Sequence, residues 1–130
     1  MIPAGPARRA GKQGKPIAVV PGMTQPEMDL HSEYLRADLF LAMGRPTEAA
    51  RILERVVAAE PENEAAVELL ARSYFGSAQL NRAETSLARL VELAPANGWA
   101  RRALARTLER QSRAADAAVH HRVADALGAA

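Results

Sequence analysis

The residues best placed to do chemistry in this chain are three histidines, a cluster of acids and a run of evenly spaced arginines. The histidines are His31, His120 and His121. Adjacent helical residues diverge by about 100°, so His120 and His121 cannot share one metal ion as an i, i+4 pair would. His121 is expected to be partly buried and His120 to lie at the surface. Cysteine is absent, which removes thiolate nucleophiles, disulfides and cysteine metal sites. No serine stands in a nucleophile-elbow pattern, and no glycine-rich phosphate loop is present. Glu60, Glu62 and Glu64 crowd a predicted hairpin junction, where carboxylates favour a helix N-terminus more readily than they perform acid–base catalysis. The expectation is a protein that is not an enzyme and uses neither cofactor nor metal. Recognition is left. Arg102, Arg106, Arg110 and Arg113 recur at helical spacing; such a stripe is either a solvated face or a seat for acidic groups.

Those side chains need helices to hold them. Aromatic residues make up only 4% of the 130 residues while apolar residues make up 48%, so the core must be Ala, Leu and Val, a mixture suited to closely packed helices. Residues 1–25 differ: they hold four of the eight prolines and four of the eight glycines, and such a segment cannot bury enough apolar surface to order itself. A disordered basic tail over 1–25 and one helical domain over 26–130 are therefore expected. Pro26 would be a first helical residue, with Thr24 and Gln25 as caps. Every lysine and the whole net charge of +2 lie in the first 29 residues. The only apolar run in that tail, Ile17–Val20, is too short for a signal peptide and is followed by Pro21. No stretch approaches a membrane span, and the chain reads as cytoplasmic.

Within the helical part a period of 34 residues emerges. Pro61-Glu62-Asn63 and Pro95-Ala96-Asn97 are 34 apart, and each asparagine is placed to cap the next helix with its side-chain oxygen. The same interval links Ala37, Ala71 and Ala105; Ala49, Ala83 and Ala117; Phe40, Tyr74 and Leu108; and Leu53 with Leu87. Small residues let two helices approach closely and the large ones fill the gaps between them.

On these residues the chain resembles tetratricopeptide repeats. That family's pattern has a small residue at the eighth position, an aromatic at the eleventh and alanine at the twentieth. A large apolar residue follows at the twenty-fourth, and proline near the thirty-second. The repeats fall at about 30–63, 64–97 and 98–130, with Gly44 in the first turn. The third departs from the pattern: His121 replaces the large apolar residue and no closing proline follows. The resemblance implies an all-α fold of about three helix-turn-helix repeats, stacked as a short right-handed α-solenoid. It also implies a concave groove, lined by the first helix of each hairpin.

Carried over, the groove positions are His31, Tyr34, Asp38 and Leu41, then Glu68, Arg72 and Phe75, then Trp99, Arg102, Arg106, Glu109 and Arg110. Tyr34, Phe75 and Trp99 can face a partner; otherwise Tyr34 and Phe75 pack against neighbouring helices and Trp99 covers the loop at Asn97. Co-chaperones of this family grip acidic chaperone tails with a lysine/asparagine clamp. Here Tyr34, Asp38, Leu69, Trp99 and Ala103 occupy those positions, so that clamp is absent. Repeat three has six arginines and three acids, while repeat one has four arginines and six acids. An acidic segment would therefore be steered to the C-terminal half.

The function this implies is a protein–protein interaction module, an adaptor or scaffold, that binds a peptide segment in the groove, the partner being another protein or an acidic peptide. The alternatives are a nucleic-acid-associated protein using the basic tail and arginine stripe, or a self-assembling structural subunit. The low net charge and lack of a nucleic-acid motif weigh against nucleic acid. The last predicted helix, about Ala115–Leu127, presents Val119, Val123 and Leu127 at i, i+4 and i+8. That stripe is predicted to contact another chain, either a second copy in a homo-oligomer or the natural partner.

Overall fold

The structure, a computed structural model, describes residues 29–130. The expected tail disorder and the caps around Pro26 lie outside these residues. Six helices follow one another: α1 (Leu30–Ala42), α2 (Pro46–Ala59), α3 (Glu64–Gly76), α4 (Leu80–Leu93), α5 (Gly98–Arg110) and α6 (Ala114–Ala126). Each packs on the next, and α1 on α3 and α3 on α5 more lightly. The result is an all-α solenoid of three hairpins.

Each hairpin starts at a side-chain cap. Asp29, Asn63 and Asn97 accept hydrogen bonds from the backbone N–H groups of Ser32, Ala66 and Ala100 at 3.1 Å. They satisfy donors that the first helical turn leaves open. Asp29 stands 34 residues before Asn63, so the period itself marks the start of α1. Its carboxyl lies below the ordinary range because it accepts from the Ser32 hydroxyl and backbone N–H. Glu60 accepts from the Asn63 amide and Glu64 sits in the first turn of α3, so these acids serve a helix start.

Each first helix ends in the same way. Gly44, Ala78 and Ser112 take positive φ. The N–H of the next residue then reaches back to the carbonyls of Phe40, Tyr74 and Leu108, at 2.9 Å in all three turns. These are Schellman ends, which close off carbonyls that the helix cannot satisfy. The turn at Ser112 also corrects the arginine stripe. Arg113 lies beyond α5 as the residue capping α6; it pairs with Glu84 and Asp116 instead of continuing the row.

The alanine columns are the closest points of the packing. Ala37, Ala71 and Ala105 are fully buried, as are Ala49 and Ala83, with Ala117 at 1%. Leu53, Leu87, Tyr74 and Leu108 fill the spaces beside them. Enlarging one of the alanines would force neighbours off their rotamers, at about 1–3 kcal/mol. Ser73 and Thr107 are buried among the apolar residues, but their hydroxyls donate to the carbonyls of Leu69 and Ala103 at 2.8 Å, so neither leaves a polar group unpaired. Tyr74 reaches out of the core to donate to Glu54 on α2. Burial, then that hydrogen bond, pushes its hydroxyl pKa well up.

Candidate functional site

The first helices of the second and third hairpins place Phe75 and Arg72 on α3 beside Trp99, Arg102 and Arg106 on α5. Between them lies a half-open cavity of about 490 Å³, lined by Phe75, Trp99, Arg102, Arg106, Ala103 and Leu127, and closed at one end by Gly98, Ala129 and Ala130. Its walls are set by polar ties. The cap Asn97 donates to Glu68 at 2.9 Å, and Glu68 accepts from Arg72 at 2.8 Å. Arg72 in turn lies 3.9 Å from the centroid of the Trp99 ring. Arg110 covers Phe75 at 5.4 Å. A guanidinium over an aromatic face contributes about 0.5–2 kcal/mol, and here it also fixes the plane of each ring.

Arg102 is held by its own neighbours. Its guanidinium meets His121 Nδ1 at 2.7 Å, the Asp125 carboxylate, and the Ala129 carbonyl at 3.3 Å. An arginine only donates, so Nδ1 accepts and the His121 proton is assigned to Nε2, which lies 3.1 Å from the Glu109 carboxylate. The hydrogen bond from Arg102 holds the Asp125 carboxyl below its usual range. Arg106 differs: it is exposed at the cavity rim and has no ion pair among the described residues. The cavity therefore offers two aromatic faces, a neutralised arginine in its wall and one unengaged cation at its edge. Among the described residues no group of His, Asp and Glu could hold a metal ion.

The structure distributes the residues singled out in the sequence over different places. Phe75, Trp99, Arg102 and Arg106 come together around one cavity. Tyr34 lies in a second, of about 350 Å³, with Leu30, His31, Glu60, Asn63 and Ala65. Asp38, exposed, and Leu41, half-buried, line neither. Tyr34, Phe75 and Trp99 are each half-buried against the core, and each lines a cavity. Leu69 and Ala103, two of the clamp positions, are buried. His120 is a correction, being half-buried with Nδ1 3.2 Å from Arg101. Desolvation, then the Arg101 charge, lowers its pKa. The last helix runs Ala114–Ala126; Val119 and Leu127 are exposed, but Val123 is half-buried.

Reading the sequence missed the cavity's end wall. A Cβ on Gly98 would stand 2.8 Å from that of Ala129, so only glycine lets residues 127–130 fold back over the start of α5. The signal was present: positions 30 and 64 of the period are Leu and Glu, and position 98 is Gly.

Residues 40–95 match the family model described as tetratricopeptide repeat. Among solved structures, MamA 41-end from Desulfovibrio magneticus RS-1 is 25% identical with a TM-score of 0.73, over 79% of this chain and 58% of that one. MamA AMB-1 is 21% identical with a TM-score of 0.74, over 78% and 60%. The second TPR of Spaghetti (RPAP3), solved bound to the HSP90 peptide SRMEEVD, is 18% identical with a TM-score of 0.70, over 78% and 94%. This chain thus spans less than two thirds of either of these two MamA structures. No curated protein matches it in sequence.

Proposed function

Because this chain is a tetratricopeptide-repeat protein, and so a protein–protein interaction module, we propose that its groove holds an acidic peptide segment in the C-terminal half. The observation that supports this is the cavity between α3 and α5. Phe75 and Trp99 are half-buried rings that line the cavity, and an apolar side chain inserted there leaves water without losing any hydrogen bond. Arg106 at the rim has no partner among the described residues, so a carboxylate there gains a charge-assisted hydrogen bond without breaking an existing pair. Arg102 shapes the wall and contributes little net charge, since Asp125 already offsets it. Aromatic and arginine side chains in such a pocket are the residue types that dominate binding energy at protein interfaces.

The RPAP3 domain shares this fold and was solved with an acidic peptide. In this chain the lysine/asparagine clamp positions hold other residues, and the contacts proposed here are aromatic and arginine. The role is binding, with no chemical step. The test is a fluorescence-polarisation screen of acidic peptides carrying one large apolar residue, against the unaltered protein and Arg106→Ala. A peptide that binds, loses about fivefold or more with Arg106→Ala and weakens with salt supports the reading. If no acidic peptide binds, or if the bound peptide ignores both Arg106→Ala and Phe75→Ala, the reading is wrong.

The runner-up roles fare differently. Among the described residues the arginines are largely engaged by acids, histidines or aromatic rings, so there is no continuous basic surface of the kind nucleic acid needs. Self-assembly has an observation of its own.

A further inference from the structure

All five exposed large apolar side chains among the described residues lie on the first and last helices: Leu35 (52%), Leu39 (60%) and Met43 (55%) along α1 and at its C-cap, and Val119 (50%) and Leu127 (39%) along α6 and at its C-cap. Inside the array the corresponding positions, on α3 and α5, are covered. The mates of Leu35 at the 34-residue interval are Leu69 and Ala103, and those of Leu39 are Ser73 and Thr107; all four are buried under a preceding hairpin. Leu39 thus puts a large apolar side chain where the inner repeats place a small hydroxyl residue.

We propose that this chain associates head to tail, the Leu35–Leu39–Met43 stripe of one copy seated on the Val119–Leu127 stripe of the next. Both stripes run i to i+8, about 12 Å along a helix, so their lengths match. Their charges are complementary. The first repeat has four arginines and six acids, and the third six arginines and three acids. Beside the stripes, Asp38 stands three residues after Leu35 and Arg122 three after Val119; both are exposed and neither has an ion pair among the described residues.

The junction is not a simple continuation of the solenoid. The α6 positions matching Leu53 and Leu87, and Val57 and Val91, are His121 and Asp125. These are engaged with Arg102 and Glu109 and form the polar outer face a terminal repeat needs. The second copy takes the neighbouring apolar stripe. Because the two surfaces differ, the contact does not close on itself and can add further copies. The apolar area is small, so association is weak and concentration-dependent. This proposal is independent of the groove.

Sedimentation of the full chain across a concentration series tests it, using Leu39→Glu, Val119→Glu and an equal mixture of the two, with circular dichroism confirming that each is helical. The unaltered protein should rise in average mass beyond a dimer. Each variant alone should be a monomer, because one of its two surfaces is blocked. The mixture should form dimers and nothing larger, since it contains one intact head and one intact tail. Three outcomes overturn the proposal. One is an unaltered chain that stays monomeric at every concentration, as expected if its own residues 1–28 cover α1. Another is either variant associating alone, which signals a symmetric pairing. The third is a mixture that remains monomeric.

Discussion

Each of the three hairpin turns passes through one residue in the left-handed region, with φ of 75° at Gly44, 58° at Ala78 and 62° at Ser112. For an L-residue this conformation sets Cβ against the following carbonyl, at about 1–2 kcal/mol. Glycine escapes that strain but loses more freedom on folding, an offset of about 0.4–1 kcal/mol. Ala78→Gly should therefore stabilise the protein by about 0.5–1 kcal/mol, and Ser112→Gly by a similar amount. Gly44→Ala should destabilise it by about the same. A Cβ at Gly44 would meet nothing within 4 Å, so the cost there is backbone strain alone. For a repeat domain of about 100 residues, 1 kcal/mol moves Tm by about 4–8 °C. Scanning calorimetry should show Ala78→Gly melting a few degrees higher and Gly44→Ala a few degrees lower. Because the turns are far apart, the double variant should melt close to the unaltered protein. A lower Tm for Ala78→Gly, as a glycine inside a helix would give, would refute the claim that the three turns share one geometry.

Other perturbations probe separate parts of the structure. Phe75→Ala should weaken a groove-bound peptide by more than about 1 kcal/mol with the helices intact; a large fall in Tm with binding unchanged would assign the ring to the core. The lowered His120 pKa stabilises the protein above the ordinary histidine value, and that contribution is lost as pH falls through the folded one. His120→Gln should therefore flatten the loss of Tm measured below about pH 6.5. Tyr74 is the opposite case, with a raised pKa, so its contribution is present at neutral pH and lost as pH rises past about 10. Tyr74→Phe should cost about 1 kcal/mol at pH 7 and remove the alkaline loss, which a urea titration at both pH values reads. Brief trypsin digestion should cut at Arg8, Arg9 or Lys12 and leave the repeats whole; protection of those bonds would show the tail docked.

The sequence by itself determined the helical repeats. Column identity at a 34-residue interval is a local property: alanines at 37, 71 and 105, and asparagines at 63 and 97, act through backbone approach and capping wherever they occur. The resemblance to the repeat family also pointed to Phe75, Trp99 and Arg106 as groove positions. Only the tertiary structure decided what those residues are free to do. Arg102 and Arg106 are alike in sequence, four apart on one helix. Yet the first is drawn into His121, Asp125 and the fold-back at Ala129, while the second stays open at the rim. Arg113 reads as the fourth member of the row until the positive φ at Ser112 turns the chain away. His120 and His121 look like surface and core, and each meets an arginine from α5. Pairings of this kind join residues about 20 or more apart, and charge or burial at one end depends on where the other helix lies. No local pattern encodes that distance; packing does.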